Sequence, residues 1–477
     1  MQRRSQPFLF TALILTLASL ACQALSGSSV TDTPAAAPRQ TDPPVAVIEE
    51  TATEAAPALE PATVNSQGTG IACIGSTTGL SCLTDNGWQS YTDSNSDLPN
   101  NYLYAGTVCP DEKIAIAHIN GVAIFDGASF TTIPELADAP SPDGIACATD
   151  GSIWLAHFQG VSHFVDGQWT TYSSDKLATG DSANELVYDV KVAPDGKVWV
   201  VTSQSVALFE NDTWTVFQEG EGFDESRFFN ALALDAKGRP WAAHSSGVDV
   251  YENGAWQTLD GLDYTSPESL TVDARGQGWL GTLTDGVYNF DGSTWSQYDQ
   301  ASEDLRSNHV TSLSADSSGR VWLGTSYGVT VFDGTEWQTY LMQNSGLADN
   351  DVEFVVTTKD GPALPALDEK ETGTLSGALE AADGTPLAGT TVEICVETLA
   401  STFSGDTPCS DQPFFLSTTT DENGSFTFEN VPTGYYVIVA DTGDTWAQLT
   451  DQFGISSERT LIEDGEDYDI GTLTIQE

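Results

Sequence analysis

The stretch VWLGTSYGVTVFDGTEWQTY at residues 321–340 decides the fold, because it recurs along the chain. Close copies are GWLGTLTDGVYNFDGSTWSQY at 278–298 and IWLAHFQGVSHFVDGQWTTY at 153–172. The aromatic residue near the end of each copy recurs every 39 to 45 residues, at Trp88, Phe130, Trp169, Trp214, Trp256, Trp295 and Trp337. A period of about 40 residues, made only of short apolar runs and Gly/Asp turns, is typical of propeller blades and not of helical solenoids.

Each repeat is predicted to form four short strands. In the last repeat these are Val310 to Ala315, Val321 to Thr325, Gly328 to Phe332 and Glu336 to Tyr340. The turns between them carry Asp-x-x-Gly and Asp-Gly, the residue types that tight hairpins require. A bulky aromatic present once per repeat is expected to pack between blades. In five repeats the second strand supplies it, as Trp154, Trp199, Trp241, Trp279 and Trp322.

The two ends of the repeat region are complementary. The first repeat begins only at Gly70 and lacks its first strand, whereas a spare strand, Asp351 to Thr358, follows the last repeat. Joining the two fragments completes one blade and leaves no long exposed edge. The sequence therefore predicts an all-β protein in which residues 67–361 form a seven-bladed β-propeller closed by a composite blade.

Two further regions follow the repeats. Residues 362–371, with the Pro-containing stretch PALPALDEKE, are predicted to be a linker. Residues 372–477 alternate between apolar and polar side chains with Gly, Pro and Asp turns, which predicts a C-terminal β-sandwich. The stretches GTPLAG (384–389), DENGSFTF from Asp421 and VPTGYYV from Val431 resemble the carboxypeptidase-regulatory or Cna-B-like domain. That resemblance implies spacing or adhesion.

The N-terminus is predicted to be a signal peptide, residues 1–21. Arg3 and Arg4 precede an apolar run that ends at Leu20 and is too short for a stable membrane span. The run closes with ASLAC, which resembles a bacterial lipobox and implies lipidation of Cys22. Ser19 stands where the lipobox prefers Leu, so ordinary signal cleavage without a lipid is the alternative. Residues 22–66, rich in Thr, Ala, Pro and Glu, are predicted to be a disordered stalk. The protein is thus expected to be exported and lipid-anchored at the cell envelope or surface.

The cysteine count agrees with an oxidising compartment. Of seven cysteines, six remain once Cys22 is set aside. Six cysteines permit 15 disulfide connectivities, so their spacing favours one set of pairs without establishing it. The preferred pairs are Cys73 with Cys82, Cys109 with Cys147, and Cys395 with Cys409.

The charge excludes one class of partner. The formal net charge is −53, from 16 Lys and Arg against 69 Asp and Glu, and it would repel phosphate backbones and anionic headgroups. Nucleic acid is therefore excluded, and the membrane is expected to be reached through the lipid alone. No spacing typical of a zinc or calcium site is visible, so no metal and no cofactor is predicted.

The repeat resembles the two-component-regulator propeller repeat. The stretches that carry this resemblance are NSGLADNDVEFV (344–355), NSDLPNNYLYA (95–105) and VWLGTSYGVTVFDG (321–334), and it covers residues 70 to 361. Relatives are ligand-sensing periplasmic halves of hybrid sensor kinases. No kinase region follows here, so signalling in cis is not expected. The resemblance implies recognition of a protein, glycan or small molecule.

One polar residue per repeat forms the candidate ligand-binding ring. It lies three residues beyond the Trp of the second strand, or its substitute. The candidates are His118, His157, His244, Thr202, Thr282 and Thr325, with Ser76 in the first repeat. The structural alternative is that each side chain hydrogen-bonds loop backbone within its own blade. The ring and the inter-blade loops predict binding at that face.

The other functional class considered is a propeller enzyme, either sialidase-like or a streptogramin-lyase-like lyase. A sialidase needs an arginine cluster for a carboxylate. Arg239, Arg275 and Arg320 instead sit in the turn between first and second strands, at the opposite face. No Gly-x-Ser-x-Gly, phosphate loop or HExxH motif is present. The sequence therefore predicts no catalytic residues and a non-catalytic recognition protein.

Overall fold

The computed structural model describes residues 70–475 within one compact unit, Leu59–Glu477, with short gaps. The gaps are residues 120, 135, 137–141, 178–185, 221, 224–226, 263–264, 303–304, 397–406, 411, 444–445, 450–458 and 464. The signal peptide, Cys22 and the stalk lie outside the described residues. Within these ranges no helix is long and apolar enough to span a membrane.

Among the described residues from 70 to 358, all regular structure is β-strand apart from one 3-10 turn at Ser174–Lys176. The strands in the first half are β1 (Ala72–Ser76), β2 (Gly79–Thr84), β3 (Gly87–Tyr91), β4 (Leu103–Val108), β5 (Ile114–His118), β6 (Gly121–Phe125), β7 (Phe130–Thr132), β8 (Pro142–Cys147), β9 (Ile153–His157), β10 (Gly160–Val165), β11 (Gln168–Ser173), β12 (Val187–Val192), β13 (Val198–Thr202), β14 (Val206–Glu210) and β15 (Thr213–Glu219). The second half continues with β16 (Gly222–Phe223), β17 (Phe229–Leu234), β18 (Pro240–His244), β19 (Gly247–Glu252), β20 (Ala255–Leu259), β21 (Pro267–Val272), β22 (Gly278–Thr282), β23 (Val287–Phe290), β24 (Trp295–Tyr298), β25 (Val310–Ala315), β26 (Val321–Thr325), β27 (Gly328–Phe332), β28 (Trp337–Tyr340) and β29 (Phe354–Thr357).

In the described part of residues 70–358 these strands form seven sheets. Sheet 1 has the order β29-β1-β2-β3, and sheets 2 to 7 are β4–β7, β8–β11, β12–β16, β17–β20, β21–β24 and β25–β28. Neighbouring strands are antiparallel, except that the two-residue β16 runs parallel to β15. This fifth strand was not expected, and it forms within the long acidic loop after sheet 4. The first strands, β4, β8, β12, β17, β21, β25 and β29, contact one another in a closed cycle.

Turn chemistry explains how the first and second strands are joined. In sheet 7 the Asp316 carboxylate accepts hydrogen bonds from the backbone N–H groups of Ser318 (3.0 Å) and Arg320 (3.1 Å). Gly319 between them has φ of 85°, a conformation that favours glycine because a Cβ crowds the backbone there. The recurring Asp-x-x-Gly sequence therefore encodes this turn.

The sheets are joined by aromatic packing. Trp199 of sheet 4 lies 5.2 Å from Tyr251 and 5.9 Å from Trp256 of sheet 5, between ring centroids. Trp279 of sheet 6 packs in the same way on Phe332 and Trp337 of sheet 7. All these second-strand tryptophans are at most 5% exposed. Their burial between sheets makes them the core of the repeat region.

Residue 354 joins the end of the repeat region to its beginning. The ring of Phe354 in β29 lies against Gly75 in β1 and Gly106 in β4, where a Cβ on either glycine would overlap it. Its backbone pairs with Gly75 in the β29–β1 ladder. Two positions without side chains thus let one buried aromatic contact sheets 1 and 2 together.

The C-terminal residues form two more sheets. Sheet 8 has the order β33-β30-β37 and sheet 9 the order β32-β31-β34-β35, with β36 also paired to β34. Their strands are β30 (Gly373–Ala381), β31 (Thr391–Cys395), β32 (Phe415–Thr419), β33 (Ser425–Val431), β34 (Gly434–Asp441), β35 (Trp446–Leu449), β36 (Thr460–Ile462) and β37 (Asp467–Ile475). One apolar core joins them, with Leu375 and Phe428 of sheet 8 and Ile394 and Ile438 of sheet 9.

That C-terminal core also includes residues of sheet 7. Tyr327, in the turn between β26 and β27, is 4% exposed and stacks on Phe414 at 6.4 Å between ring centroids. Arg459 donates to the buried Asp349 carboxylate at 2.6 Å. The linker is hydrogen-bonded as well, because the Pro365 carbonyl accepts from the Tyr340 hydroxyl at 3.0 Å. Sheet 7 and the C-terminal sheets are therefore packed together.

Candidate functional site

The candidate ring residues all occupy one structural position. Each is the last residue of a second strand, and in sheets 2 to 7 each pairs across the ladder with the start of the first strand, as Leu103 does with His118 and Val187 with Thr202. We call this end of the sheets the mouth end. All seven ring residues, Ser76 included, are at most 3% exposed. The structure therefore brings the ring together at the mouth end but buries its side chains.

The threonines of the ring are hydrogen-bonded within their own turns. The Thr325 hydroxyl donates to the Gly328 carbonyl (2.9 Å) and accepts from the Tyr327 N–H (3.0 Å). Thr282 bonds the Gly286 carbonyl at 2.8 Å in the same way, and Thr202 contacts the Ser205 hydroxyl at 2.7 Å. These contacts correspond to the structural alternative considered for the ring, in which a buried polar group is satisfied by its own loop.

Two of the ring histidines are held in the uncharged state by burial. His157 Nε2 lies 2.8 Å from the Ser162 hydroxyl, which in turn contacts Thr171 at 2.8 Å. Burial lowers the pKa of His157 to about 4, and it also lowers the pKa of His118. Both imidazoles are therefore neutral at pH 7, because the surrounding protein disfavours the charged form.

His244 lies in a charged cluster. Its Nε2 is 2.9 Å from Arg227 Nη1 and 3.3 Å from the Asp249 carboxylate, and Arg227 also contacts Asp249 directly. Burial raises the pKa of Asp249, but the hydrogen bonds to His244 and Thr258 and the charge of Arg227 outweigh it, so the pKa is lowered. Asp249 is thus ionised and paired.

A second ring, which the sequence analysis missed, faces the cavity. In sheets 2 to 7 the ladder between the first and second strands shifts register at the second residue of the first strand. In sheet 1 the N–H of the corresponding residue, Glu353, donates to the Gly75 carbonyl. These seven residues, which we call the bulge ring, all line one cavity: Tyr104, Asp143, Tyr188, Asn230, Glu268, Thr311 and Glu353.

The cavity measures about 420 Å³ and lies among the first strands. It is acidic. Although Asp143 is exposed to solvent inside the cavity, the surrounding strands limit its hydration and raise its pKa to about 6. Burial raises the pKa of Glu268 to about 7. Burial also raises the pKa of Tyr188, as do the nearby Asp143 and Glu268. Lys191 of the cavity wall is bound to Asp189 at 2.6 Å.

Side-chain hydrogen bonds between neighbouring first strands position two members of the bulge ring and part of the cavity wall. Asn230 donates to the Pro267 carbonyl of the next sheet at 2.6 Å, and Thr311 donates to the Val352 carbonyl at 2.6 Å. The Asp189 carboxylate accepts from the Leu232 N–H at 3.2 Å. Each bond crosses from one sheet to the next, so these cavity walls are built from satisfied, ordered groups.

A residue with a polar group at the second position of the first strand in sheets 2 to 7, directly after an apolar residue or Pro, is the signal that the sequence offered. The ring at the ends of the second strands is equally periodic, and its histidines are residues that can bind ligands or metals. Periodicity alone does not distinguish a side chain that satisfies its own turn from one that lines a cavity. A bulge reverses the direction of one side chain locally, and the repeat spacing does not reveal it.

The six remaining cysteines are joined in the structure as Cys73–Cys82, Cys109–Cys147 and Cys395–Cys409. Arg239, Arg275 and Arg320 lie in turns at the end opposite the mouth, where each guanidinium binds the Asp of its own turn. Among the described residues no group of three or more His, Cys, Asp or Glu side chains is arranged to hold a metal ion.

Comparison with known proteins identifies the type of repeat. The family described as Two component regulator propeller matches residues 304–327. No curated protein matches.

Among solved structures, the extracellular domain of the hybrid two component system BT4673 from B. thetaiotaomicron is 20% identical over 56% of this chain and 37% of that chain, with a TM-score of 0.46. Virginiamycin B lyase from Staphylococcus aureus is 12% identical over 51% of this chain and 85% of that chain, with a TM-score of 0.42. This chain thus spans only 37% and 39% of the first two structures matched. Residues 304–327 thus match a propeller repeat of the two component regulator type, and the closed cycle of antiparallel sheets over residues 70–358 agrees with a propeller.

Proposed function

We propose that this protein is an exported, non-catalytic recognition protein whose propeller binds a ligand at the mouth end of the cavity. The observation that carries the proposal is the bulge ring. Its seven members differ in chemistry, including two tyrosines, three carboxylic acids and two neutral polar residues, while the surrounding scaffold is repetitive. A rigid scaffold that presents dissimilar polar side chains around one cavity is the usual form of a binding site.

The proposed architecture has seven blades and a β-sandwich. Sheets 1 to 7 would be the blades, and the β29–β1 pairing in sheet 1 would close the ring by joining the two ends of the repeat region. Sheets 8 and 9, with their shared core, would be the sandwich of the carboxypeptidase-regulatory type. The order of strands and the common core support both assignments.

The proposed anchor is a lipid on Cys22, supported by the lipobox-like sequence at the end of the export signal. Acyl chains contribute about 0.8 kcal/mol per buried CH₂ to membrane affinity. We therefore expect Cys22→Ser to move the protein from the membrane fraction to the soluble fraction. A variant that stays with the membrane would contradict the lipid anchor while leaving the recognition function open.

The binding site is tested by a thermal-shift screen of glycans, peptides and metabolites, since a ligand of the folded state raises the melting temperature by mass action. A hit should lose its shift in the double variant Asp143→Asn, Glu268→Gln. The control is Glu422→Gln, Glu429→Gln, which removes two exposed carboxylates from the C-terminal region. Hits that shift both variants equally would overturn the proposed site, and turnover of a hit would overturn the non-catalytic assignment.

A further inference from the structure

Exposed apolar residues are concentrated at the mouth end. Nine large apolar side chains are exposed in the described part of the chain, and five of them lie there: Tyr102, Ile119, Phe158, Phe228 and Leu283. Phe158 and Phe228 are 59% and 63% exposed. Single exposed apolar residues need no explanation, but a group at one end of a fold marks an interaction site.

The positions of these five residues follow the repeat. Ile119, Phe158 and Leu283 each come directly after a ring residue, in the turn between second and third strands. Tyr102 and Phe228 come directly before the first strands of their sheets. The two positions are hydrogen-bonded neighbours, as between the Ser245 N–H and the Phe228 carbonyl at 3.0 Å. The five side chains thus belong to sheets 2, 3, 5 and 6, next to the bulge ring.

Sheet 7 shows what an apolar side chain in this turn does when it has a partner. Its turn carries Tyr327, which is buried against Phe414 of the C-terminal region. The corresponding turns of sheets 2, 3 and 6 carry apolar side chains that remain uncovered. The uncovered side chains therefore lie at the same end of the fold as a turn that already packs against another part of this chain.

The charge of the cavity indicates which kind of ligand group can bind at the mouth end. The titratable side chains that line the cavity are Tyr104, Asp143, Tyr188, Asp189, Lys191, Glu268 and Glu353. The only cation among them, Lys191, is neutralised by Asp189. Asp143 and Glu268 have no basic partner among the other residues that line the cavity, so a cation entering it would meet complementary charge.

Resting on the recognition function proposed above, we infer that the mouth end binds a polypeptide segment of a partner protein that carries a lysine or arginine with apolar neighbours. The basic side chain enters the cavity beside Asp143 and Glu268, and the neighbouring apolar residues cover Phe158 and Phe228. A small cation would satisfy the carboxylates but would leave the apolar residues of four sheets exposed, so the observations favour a polypeptide.

The experiment compares two probe peptides by calorimetry with the full mature chain. One is the amide Gly-Phe-Leu-Arg-Leu-Phe-Gly, and the other has citrulline in place of arginine, which keeps the shape and removes the charge. We expect the arginine peptide to bind at least tenfold more tightly. Glu268→Gln should abolish that preference, and Phe158→Ser, Phe228→Ser should weaken both peptides by tenfold or more.

The serine replacements suit the fold, because the turns of sheets 4, 5 and 7 already carry Ser203, Ser245 and Ser326 at the position of Phe158. Val165→Ser is the matched control, because Val165 is an exposed apolar residue at the opposite end of sheet 3. Its variant should bind both peptides like the wild type.

Equal binding of the two peptides, or no binding of either at millimolar concentration, would overturn the inference. A neutral or anionic hit in the thermal-shift screen that depends on Asp143 and Glu268 would then leave the recognition function standing. If no hit depends on the mouth end, the recognition function fails as well.

Discussion

The mouth end of the propeller has a covered region and an open region. Over sheet 7 the C-terminal sheets bury Tyr327 to 4% exposure, whereas the equivalent turn of sheet 3 leaves Phe158 59% exposed. Both turns are built on the same hydrogen-bonded frame and both carry an aromatic residue. The turn between the second and third strands is therefore suited to contact another surface, and in sheet 7 the chain supplies that surface itself.

The largest loss of stability is expected when the buried ion pair beneath the covered region is broken. Asp349→Ala leaves the Arg459 guanidinium buried without its partner at 2.6 Å. Removing one member of a buried pair typically costs about 3 to 5 kcal/mol. We expect a loss of that size in the free energy of unfolding, measured by urea denaturation. Asp351→Ala is the control, since Asp351 lies 3.6 Å from Arg459 and is 33% exposed; an equal loss there would contradict the argument.

The difference between the covered turn of sheet 7 and the open turn of sheet 3 is tested by replacing Tyr327 and Phe158, one at a time. Tyr327→Ser should cost about 2 to 3 kcal/mol because it removes a buried aromatic ring. Phe158→Ser should change the free energy of unfolding by less than about 0.5 kcal/mol, because the ring already contacts water. Both are read from denaturation midpoints. Similar losses in the two variants would mean that Phe158 is also covered.

The ring histidines are expected to contribute to stability and not to ligand binding. Replacing His118, His157 and His244 together by threonine, the residue of other sheets, should lower stability by about 2 kcal/mol because buried hydrogen bonds are lost. Since all three side chains are buried, and His157 and His244 bond within their own sheets, we expect ligand affinity to stay within twofold. A tenfold change in the affinity of any hit from the screen would instead make the ring a ligand-binding ring.

The smallest expected effect is the pH dependence of the free energy of unfolding. Burial raises the pKa of Glu268 to about 7, so the folded state holds this proton more tightly than the unfolded state. Its contribution to stability is therefore complete below about pH 4.5 and is lost as the pH rises through 7. We expect a loss of about 1 kcal/mol, because water in the cavity screens the charge. Glu268→Gln should remove this part of the pH dependence, and an unchanged profile would contradict the assignment.

Much of the repeat region could be read from the sequence, and the reason is local. The Asp-x-x-Gly turn is made by the side chain of Asp316 and the backbone of the next four residues, so three-dimensional context adds little. The second-strand Trp is similar, because one bulky apolar residue per repeat must be buried between repeats. The sequence also supplied the candidate ring, but it did not tell whether those side chains face a ligand or their own turns.

The period, the strands, the turns and the complementary ends of the repeat region could be predicted from the sequence, since each depends on residues close together in the chain or on simple repetition. Tertiary structure alone decided which polar residues line the cavity, because the bulge ring arises where the register of the first strands shifts. It also decided which apolar turn is covered. Tyr327 is buried by Phe414, a residue far along the chain, while Phe158 remains exposed. The two rings stand at neighbouring positions of their turns, and which of them is covered depends on whether a distant segment packs there.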